Sequence, residues 1–363
     1  MRDTQKLLTL VADGITEWPF RNWNFGDSIG FESLLSASEA TGNPTWENFV
    51  TAWVRSWGSR SEPFVRLDCT APGRAMVKVA TKTGDPVLTE SLSKLAEYLR
   101  GRPQLEGLYE TWESSPLLPS YGPEPMEDWE EQLLAQPPAG VFLDCLHFDP
   151  PFFSSLGRLL NDSDLVSCAV EQAVGYCTLL QKESGLFDHF ALREVGGTFG
   201  PGWGRGQGWA LLGLLDTIEE AREFCDNNVT LARDVEKLAD SARSLIQVQI
   251  SLQREDGHWY AVVDNPGSGN ESSTAAFMAH GFQRAADLGI LTEEEVRGPR
   301  ELAQTAVLDS LDDDGNVSEV SAAVFACTSP SHYSHVPRGR IVPWGQGPAL
   351  MVLADLAKGS ALG

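Results

Sequence analysis

The sequence lacks long apolar runs, paired cysteines and an obvious leader segment. No apolar stretch in its 363 residues approaches the roughly 20 consecutive residues that a membrane-spanning helix requires. The N-terminal region has no long apolar core followed by a small-residue cleavage site, so no signal peptide is expected. The six cysteines form neither a Cys-x-x-Cys pair nor a Cys/His cluster, which favours buried thiols over disulfides or zinc ligands. We therefore expect a soluble, cytoplasmic protein.

Basic residues are also scarce. The chain has 27 Lys and Arg against 51 Asp and Glu, which gives a formal net charge of −24. Such a chain repels nucleic acid and anionic membranes, so we expect neither as a partner. An anionic small molecule is compatible with this charge only if its pocket contains a local basic group. The sequence leaves the oligomeric state open.

Several catalytic motifs are missing as well. The chain has no phosphate-binding P-loop, no dinucleotide fingerprint after a strand and no Gly-x-Ser-x-Gly elbow. The zinc spacing His-Glu-x-x-His is absent. His332 and His335 are three residues apart, but the Pro and Ser residues around them predict a loop. No metal and no cofactor are therefore expected.

Helical patterns fill most of the chain, and sustained alternation of apolar and polar residues is almost absent. Thr-Gly-Asn-Pro at 41–44 and Thr-Gly-Asp-Pro at 83–86 each separate two amphipathic stretches. Gly ends one helix and Pro begins the next, which predicts repeated helical hairpins. One short strand is predicted at 259–263. The predicted helices are 31–39, 46–57, 71–80, 89–99, 128–135, 150–160, 163–182, 207–224, 229–253, 271–288, 293–308, 317–327 and 345–357.

Two all-helical architectures fit this pattern: an open solenoid, or a closed ring of six hairpins called an (α/α)6 barrel. The loops at 188–209 and 256–271 differ in length and are rich in Trp, Gly, His and Asp. Unequal loops on a rigid scaffold favour the closed ring, with a functional site at one end. No linker divides the chain, so residues 1–363 are expected to form one domain.

The segment 140–153 places Asp144 between apolar residues and beside aromatic rings. A desolvated carboxylate has a raised pKa and can remain a proton donor near neutral pH. An aspartate that caps a helix is the alternative interpretation. The same segment adds His147 and Asp149, which lie within about a helical turn of Asp144.

The glycine-rich run Trp-Gly-Arg-Gly-Gln-Gly-Trp at 203–209 is the second notable segment, and Asp188-His189 precedes it. Glycines let the backbone pass close to a ligand, and tryptophan rings offer stacking faces for a sugar. Arg205 offers a forked donor for a carboxylate. The alternative is a glycine-rich loop capped by buried tryptophans.

Two further segments combine polar and aromatic residues at the start of predicted helices. The run 270–276 brings Glu271 into a small-residue helix, although its Ser and Thr residues also suit simple capping. Trp23 and Phe25 lie where a loop enters a helix. There they either face a sugar or pack in the core.

Together these segments resemble the unsaturated uronyl hydrolases of glycoside hydrolase families 105 and 88, and most closely the unsaturated rhamnogalacturonyl hydrolase group of family 105. The run at 203–209 is similar to the family's Trp-Ala-Arg-Gly-Asn/Gln-Gly/Ala-Trp. Leu186-Phe187-Asp188-His189 resembles its Leu-Tyr/Phe-x-His. The resemblance extends from about Trp23 to Leu356, and its other matching segments are 143–153 and 253–273.

The resemblance implies an (α/α)6 barrel and an unusual hydrolysis. The substrate carries a 4,5-unsaturated uronic acid at its non-reducing end, left there by a polysaccharide lyase. A carboxyl group protonates C4, water adds at C5, and the resulting hemiketal opens and expels the rest of the saccharide. By position, Asp144 matches the general acid/base of the family, and Asp68 falls near its second active-site aspartate. Arg205 would offset the substrate carboxylate.

The sequence departs from the family pattern at His147 and Asp149, where apolar residues are usual, and at Gly204, which replaces a usual Ala. These changes leave open which sugar is linked to the uronic acid. Two other classes also remain open: a different (α/α)6 carbohydrate enzyme (an inverting glycosidase, lyase or epimerase) and a non-catalytic helical scaffold. The candidate substrate-binding residues are His189, Trp203, Arg205, Gln207, Trp209, Trp23, Phe25 and His147.

Overall fold

Helices form most of the structure, a computed structural model that describes residues 3–20, 25–59, 72–112 and 114–361. Four short strands make two two-stranded antiparallel sheets: β1 (Gln104–Leu105) with β2 (Leu108–Tyr109), and β3 (Gly140–Phe142) with β4 (Phe190–Leu192). The helices are α1 (Thr4–Thr16), α2 (Phe25–Thr41), α3 (Thr45–Gly58), α4 (Gly73–Thr83), α5 (Pro86–Arg100), α6 (Asp128–Ala135), α7 (Cys145–Leu160), α8 (Ser163–Leu180), α9 (Gly204–Ala221), α10 (Val229–Leu252), α11 (Ser272–Asp287), α12 (Glu293–Ser310), α13 (Ser331–His335) and α14 (Pro343–Ala361).

Local capping signals set the turn between α4 and α5. Gly84 follows α4 with a φ of 62°, a left-handed conformation that glycine adopts without steric cost. Asp85 then caps α5, because its side chain accepts hydrogen bonds from the backbone N–H groups of Val87 and Leu88. Pro86 is the first residue of α5. This turn was predicted from the sequence, and the structure confirms it.

The helices form two concentric rings. The inner ring consists of α2, α4, α7, α9, α11 and α14, in which each helix contacts the next and α14 contacts α2. The outer helices α1, α3, α5, α8, α10 and α12 each precede one inner helix along the chain. Six hairpins therefore close into an (α/α)6 barrel, which confirms the closed ring over the open solenoid.

Charged side chains fill part of the barrel lumen. Arg74 on α4 lies 3.0 Å from Asp216 on α9 and 3.5 Å from Glu32 on α2. Arg284 on α11 approaches Asp216 to 2.9 Å. We call these four residues the lumen ion cluster. Because each guanidinium faces a carboxylate from another inner helix, the cluster links four of the six inner helices.

The predicted helix at 317–327 is wrong, since this segment is irregular. Its backbone groups find partners elsewhere in the fold. The Ser321 N–H donates to the Glu271 carboxylate, the Ala322 N–H donates to the Pro337 carbonyl, and Leu118 donates to the Ala326 carbonyl. These long-range bonds replace the local bonds of a helix.

Strand content also differs from expectation. The predicted strand at 259–263 forms only two isolated bridges, Tyr260 with Asn270 and Val262 with Trp203. Helix α1 and the β3–β4 pair were not predicted. Among the described helices, none combines the length and apolar character needed to cross a membrane.

The close approach of α7 and α9 gives a stability test. A Cβ at Gly213 would collide with the backbone carbonyl of Leu146, and backbone cannot move as a flexible side chain can. We expect Gly213→Ala to lower the free energy of unfolding by about 1–3 kcal/mol, as overpacking does. Urea unfolding monitored by circular dichroism measures this change.

The matched control is Gly14→Ala in α1, where no atom lies within 4 Å of the added Cβ. There we expect a gain of up to about 1 kcal/mol, because Ala favours a helix over Gly. Equal stabilities for the two variants would contradict the close helix contact.

Candidate active site

One cavity of about 280 Å³ lies where the first turns of α2, α7 and α9 meet. The adjoining wall comes from the irregular segment that follows α12. Aromatic and apolar side chains dominate the lining, and only three ionisable groups other than cysteine face it within the described ranges. The lining residues are Phe25, Thr111, Trp112, Pro116, Phe142, Asp144, Cys145, His189, Trp203, Arg205, Ala323, Val324, Phe325 and Ala326.

Asp144 stands at the entrance to α7, directly after β3. It occupies the N-cap position, but its side chain accepts no capping hydrogen bond. Its carboxylate instead faces the cavity, with 19% of the side chain exposed. Asp144 therefore occupies the position of a helix cap, but its carboxylate does not form the capping hydrogen bond.

The β3–β4 pair brings His189 beside Asp144. Phe142 pairs with Phe190 across the two strands, and the Leu143 N–H donates to the His189 carbonyl over 2.8 Å. The register of the two strands thus brings Asp144, which follows β3, close to His189, which precedes β4. His189 Nε2 lies 3.1 Å from Asp144 Oδ2.

The other nitrogen of His189, Nδ1, lies 2.8 Å from the Tyr333 hydroxyl. The imidazole is only 3% exposed, and its ring centre lies 4.5 Å from that of Trp203. Both imidazole nitrogens therefore have fixed partners, and the ring has a defined orientation beside the cavity.

Arg205 lines the cavity but is already compensated by a buried carboxylate. Its Nη1 lies 3.6 Å from Glu271 Oε2, and its Nη2 donates to the Ala322 carbonyl over 2.9 Å. Both side chains are almost fully buried. Burial lowers the pKa of Arg205 from its usual value, while the charges of Glu271 and Asp144 oppose that shift. The Arg205 Nε–H has no hydrogen-bond partner within the described residues.

Glu271 is held from several directions. Ser273 Oγ–H donates to its Oε1 over 2.6 Å, and the Ser321 N–H donates to Oε2 over 3.1 Å. The Ser321 hydroxyl also donates to Oε2. Glu271 lies in the segment 270–276, which combines polar and small residues at the start of a helix. Its contacts hold both Arg205 and the irregular segment after α12 that forms one wall of the cavity.

Phe25 and Trp203 supply the aromatic surface that the sequence predicted. Phe25 stacks at 4.6 Å on Trp344, and Trp203 lies 5.1 Å from the Arg205 guanidinium carbon. Both rings line the cavity. The predicted residues that the structure brings together here are therefore Asp144, His189, Trp203, Arg205 and Phe25.

Gln207 and Trp209 lie outside the cavity lining. Gln207 is fully buried, and its amide exchanges two hydrogen bonds with the backbone of Phe187, at 2.8 and 2.9 Å. Trp209 is also fully buried and packs against Phe277 at 4.8 Å. The helix begins at Gly204, so Gln207, two residues after Arg205, points to another face, while Trp209, four residues after it, lies on the same face one turn further along α9. Within the described structure, both side chains serve to hold the segment in place.

His147 points away from the cavity and towards the lumen ion cluster. Its ring nitrogens lie 3.7 Å from Glu32 and 4.0 Å from Asp216, and neither forms a hydrogen bond with a described residue. Burial lowers the pKa of His147, although the two carboxylates oppose this effect. Asp149, the second unusual residue of this helix, forms an ion pair with Arg102 at 2.5 Å.

Asp68 and Trp23, the two remaining predicted site residues, lie outside the described residues. Several lining residues were not predicted from the sequence. Trp112 and Pro116 adjoin a proline-rich loop that had no recognised motif, and 323–326 was assigned to a helix. Tyr333 lay in the segment considered only for metal binding.

A larger cavity, of about 800 Å³, lies among the later turns of α2, α4, α9, α11 and α14. Its charged residues largely neutralise one another. Lys82 pairs with Glu47 at 2.5 Å, and Lys358 pairs with Glu39 at 3.2 Å. The cavity beside Asp144 has aromatic walls, and among the described residues His189 is the only basic group within 4 Å of its carboxylate. It is therefore the better catalytic candidate.

The Arg205–Glu271 pair makes a second stability test. Glu271→Gln keeps the shape but leaves the buried guanidinium without its carboxylate, so we expect a loss of about 3–5 kcal/mol in unfolding free energy. Glu255→Gln, at an exposed position, serves as the matched control and should have little effect. Denaturant unfolding measures both variants, and equal midpoints would contradict the role of the pair.

Known proteins resemble this chain over almost its whole length. The profile of Glycosyl Hydrolase Family 88 matches residues 12–359. The unsaturated rhamnogalacturonyl hydrolase YesR of Bacillus subtilis (strain 168) is 26% identical over 363 residues, covering 98% of this chain and 96% of the relative.

Solved structures show the same fold. A possible member of family 105 from Klebsiella pneumoniae has a TM-score of 0.82 at 18% identity, covering 98% of this chain and 93% of that chain. The unsaturated glucuronyl hydrolase from Bacillus sp. GL1 has a TM-score of 0.70 at 17% identity, covering 98% and 96%. The profile match and the relatives confirm the resemblance seen in the motifs, and the chain belongs to Glycosyl Hydrolase Family 88.

Proposed function

We propose that this protein releases 4,5-unsaturated uronic acid from the non-reducing end of lyase-generated oligosaccharides. Its family membership and its similarity to the unsaturated rhamnogalacturonyl hydrolase of Bacillus subtilis support the reaction class. The observation that carries the proposal is the placement of Asp144. This carboxylate faces an aromatic-walled cavity, makes no capping bond and lies within hydrogen-bond distance of His189.

In the proposed reaction, Asp144 donates a proton to C4 of the enol ether. The positive charge that develops at C5 is shared with the ring oxygen, and a water molecule then adds at C5. Asp144 takes back one proton from this water, so that it acts in turn as general acid and general base. The hemiketal opens, and the released C1 hemiacetal expels the remaining saccharide.

Arg205 is the proposed partner of the uronate carboxylate. It lines the same cavity as Asp144, and its Nε–H lacks a partner within the described residues. Its charge is offset by Glu271 at 3.6 Å, so recognition relies on directed N–H donors rather than on net positive charge. This pairing also limits the cost of burying an arginine in an empty cavity.

The aromatic rings of Trp203 and Phe25 are proposed to pack against the faces of the sugar. The cavity of about 280 Å³ is slightly smaller than the roughly 300–1,000 Å³ found for ligand pockets. That size suits a terminal sugar better than a long saccharide. We propose that His189 lies beside the sugar and acts through its hydrogen bond to Asp144. Asp68 is the proposed second active-site aspartate.

A conventional glycosidase is the main alternative. It requires two carboxyl groups, about 5–5.5 Å apart in retaining enzymes or 6.5–9.5 Å apart in inverting ones. Within the described lining, Asp144 is the only carboxylate. The family match and the unsaturated rhamnogalacturonyl hydrolase of Bacillus subtilis are what favour protonation of an enol ether over displacement at the anomeric carbon.

A cytoplasmic location is proposed as well. The thiols of Cys168, Cys177, Cys225 and Cys327 are free. Free cysteines are typical of a reducing compartment.

Asp144→Asn tests the proposed acid. We expect kcat/KM to fall by about 100- to 10,000-fold, because the amide cannot deliver a proton. The assay follows loss of ultraviolet absorbance from unsaturated disaccharides derived from rhamnogalacturonan, glucuronan, ulvan and glycosaminoglycans. This panel also identifies the sugar linked to the uronic acid.

Asp162→Asn is the matched control, since Asp162 caps α8 and asparagine caps equally well. It should retain full activity. Absence of turnover by the wild type on every substrate would overturn the proposed function, and turnover by Asp144→Asn would remove Asp144 from its role.

A further inference from the structure

A chain of hydrogen bonds runs from the cavity into the protein interior. Asp144 Oδ2 lies 3.1 Å from His189 Nε2, and His189 Nδ1 lies 2.8 Å from the Tyr333 hydroxyl. Tyr333 is 2% exposed and does not line the cavity. It therefore reaches the reacting group only through His189.

The hydroxyl of Tyr333 remains protonated, because burial raises its pKa well above the usual value. A buried hydroxyl that stays protonated must direct its hydrogen to an acceptor, because a buried donor without a partner is costly. The nitrogen His189 Nδ1 is the acceptor in reach.

This direction of donation decides the tautomer of His189. When Nδ1 accepts a hydrogen bond, a neutral imidazole carries its hydrogen on Nε2. Nε2–H then donates to Asp144 Oδ2. An oxygen that accepts such a bond is a poor site for the acidic proton of Asp144, which is left to Oδ1.

We propose that Tyr333 is a positioning residue that holds His189 as the Nε2–H tautomer, so that Asp144 presents its proton to the substrate on Oδ1. The inference rests on the proposed function for its catalytic consequence. The tautomer itself is a property of the free protein. The same bond from Nε2–H stabilises the Asp144 carboxylate after proton transfer, and it thereby assists the return of Asp144 to its base form.

Other charged and titratable groups face this chain, and Tyr333→Phe leaves them unchanged. A shift in the pH profile of this variant is thus assigned to the lost hydrogen bond. These groups are Arg205 and His147 towards Asp144, His332 towards His189, and Asp188 and Cys327 towards Tyr333.

The activity test is the pH profile of Tyr333→Phe on the substrate that the wild type hydrates fastest. Without the hydroxyl, His189 no longer has a fixed tautomer, and the carboxylate of Asp144 loses a reliable donor. A general acid acts only when it is protonated, so activity falls towards alkaline pH. Losing a hydrogen-bond donor to the ionised form moves this fall to higher pH.

We therefore expect the alkaline limb of kcat to move to higher pH by about one unit, the size expected for losing one hydrogen bond to a charged group. The value of kcat should fall by about 10- to 100-fold, as for other residues that orient a histidine. KM should change little, because Tyr333 does not line the cavity.

Tyr176→Phe is the matched control, because Tyr176 is 1% exposed and also lies outside the lining. Its pH profile should match that of the wild type. A fall in kcat for Tyr333→Phe with an unmoved alkaline limb would overturn the positioning role in favour of a purely structural one.

Nitrogen-15 NMR of the histidine rings tests the tautomer without any substrate. We expect His189 in the wild type to be protonated at Nε2 and not at Nδ1 near neutral pH. A wild-type signal with hydrogen on Nδ1 would overturn the inference even if the hydrolase activity is confirmed. If the expected signal is seen but the protein hydrates no unsaturated saccharide, the tautomer is confirmed and only the proposed function is rejected.

Discussion

The buried pair of Arg205 and Glu271 is the interaction on which the cavity depends. Arg205 begins α9, Glu271 precedes α11, and both bond to the irregular segment at Ser321 and Ala322. Trp344 at the start of α14 donates to the same Ser321 carbonyl. Three inner helices and one cavity wall therefore share a single charged junction. An unpaired charge at this depth would cost several kcal/mol, so the elements around it are strongly constrained to stay together.

The hairpin architecture was predictable because its signals are local. A glycine in a left-handed conformation, an aspartate at an N-cap and a proline in the first turn lie within a few residues of each other around Gly84. The segment 317–327 was not predictable in this way. Its conformation is set by Glu271, Pro337 and Leu118, which are distant in sequence. Tertiary partners thus overrode a helical pattern.

The residues of the candidate site divide in the same way, into those with a local sequence signal and those placed by partners distant in sequence. Asp144 and Arg205 were identified from chemical type and motif, and both face the cavity. Gln207 and Trp209 belong to the same motif but lie outside the cavity lining, because a helix rather than a loop starts at Gly204. Tyr333 could not be found from sequence, since its partner His189 lies 144 residues away. Only the folded structure brings Tyr333 next to His189 and, through it, to Asp144.

The four residues of the lumen ion cluster line the larger cavity. Trp209 lies on α9 between Arg205, in the smaller cavity, and Leu212, in the larger one. Among the described residues, the two cavities share no lining residue, and the buried ring of Trp209 separates them. A saccharide can therefore present a terminus to the cavity beside Asp144 without threading into the larger one, and each product leaves by the mouth through which the substrate entered.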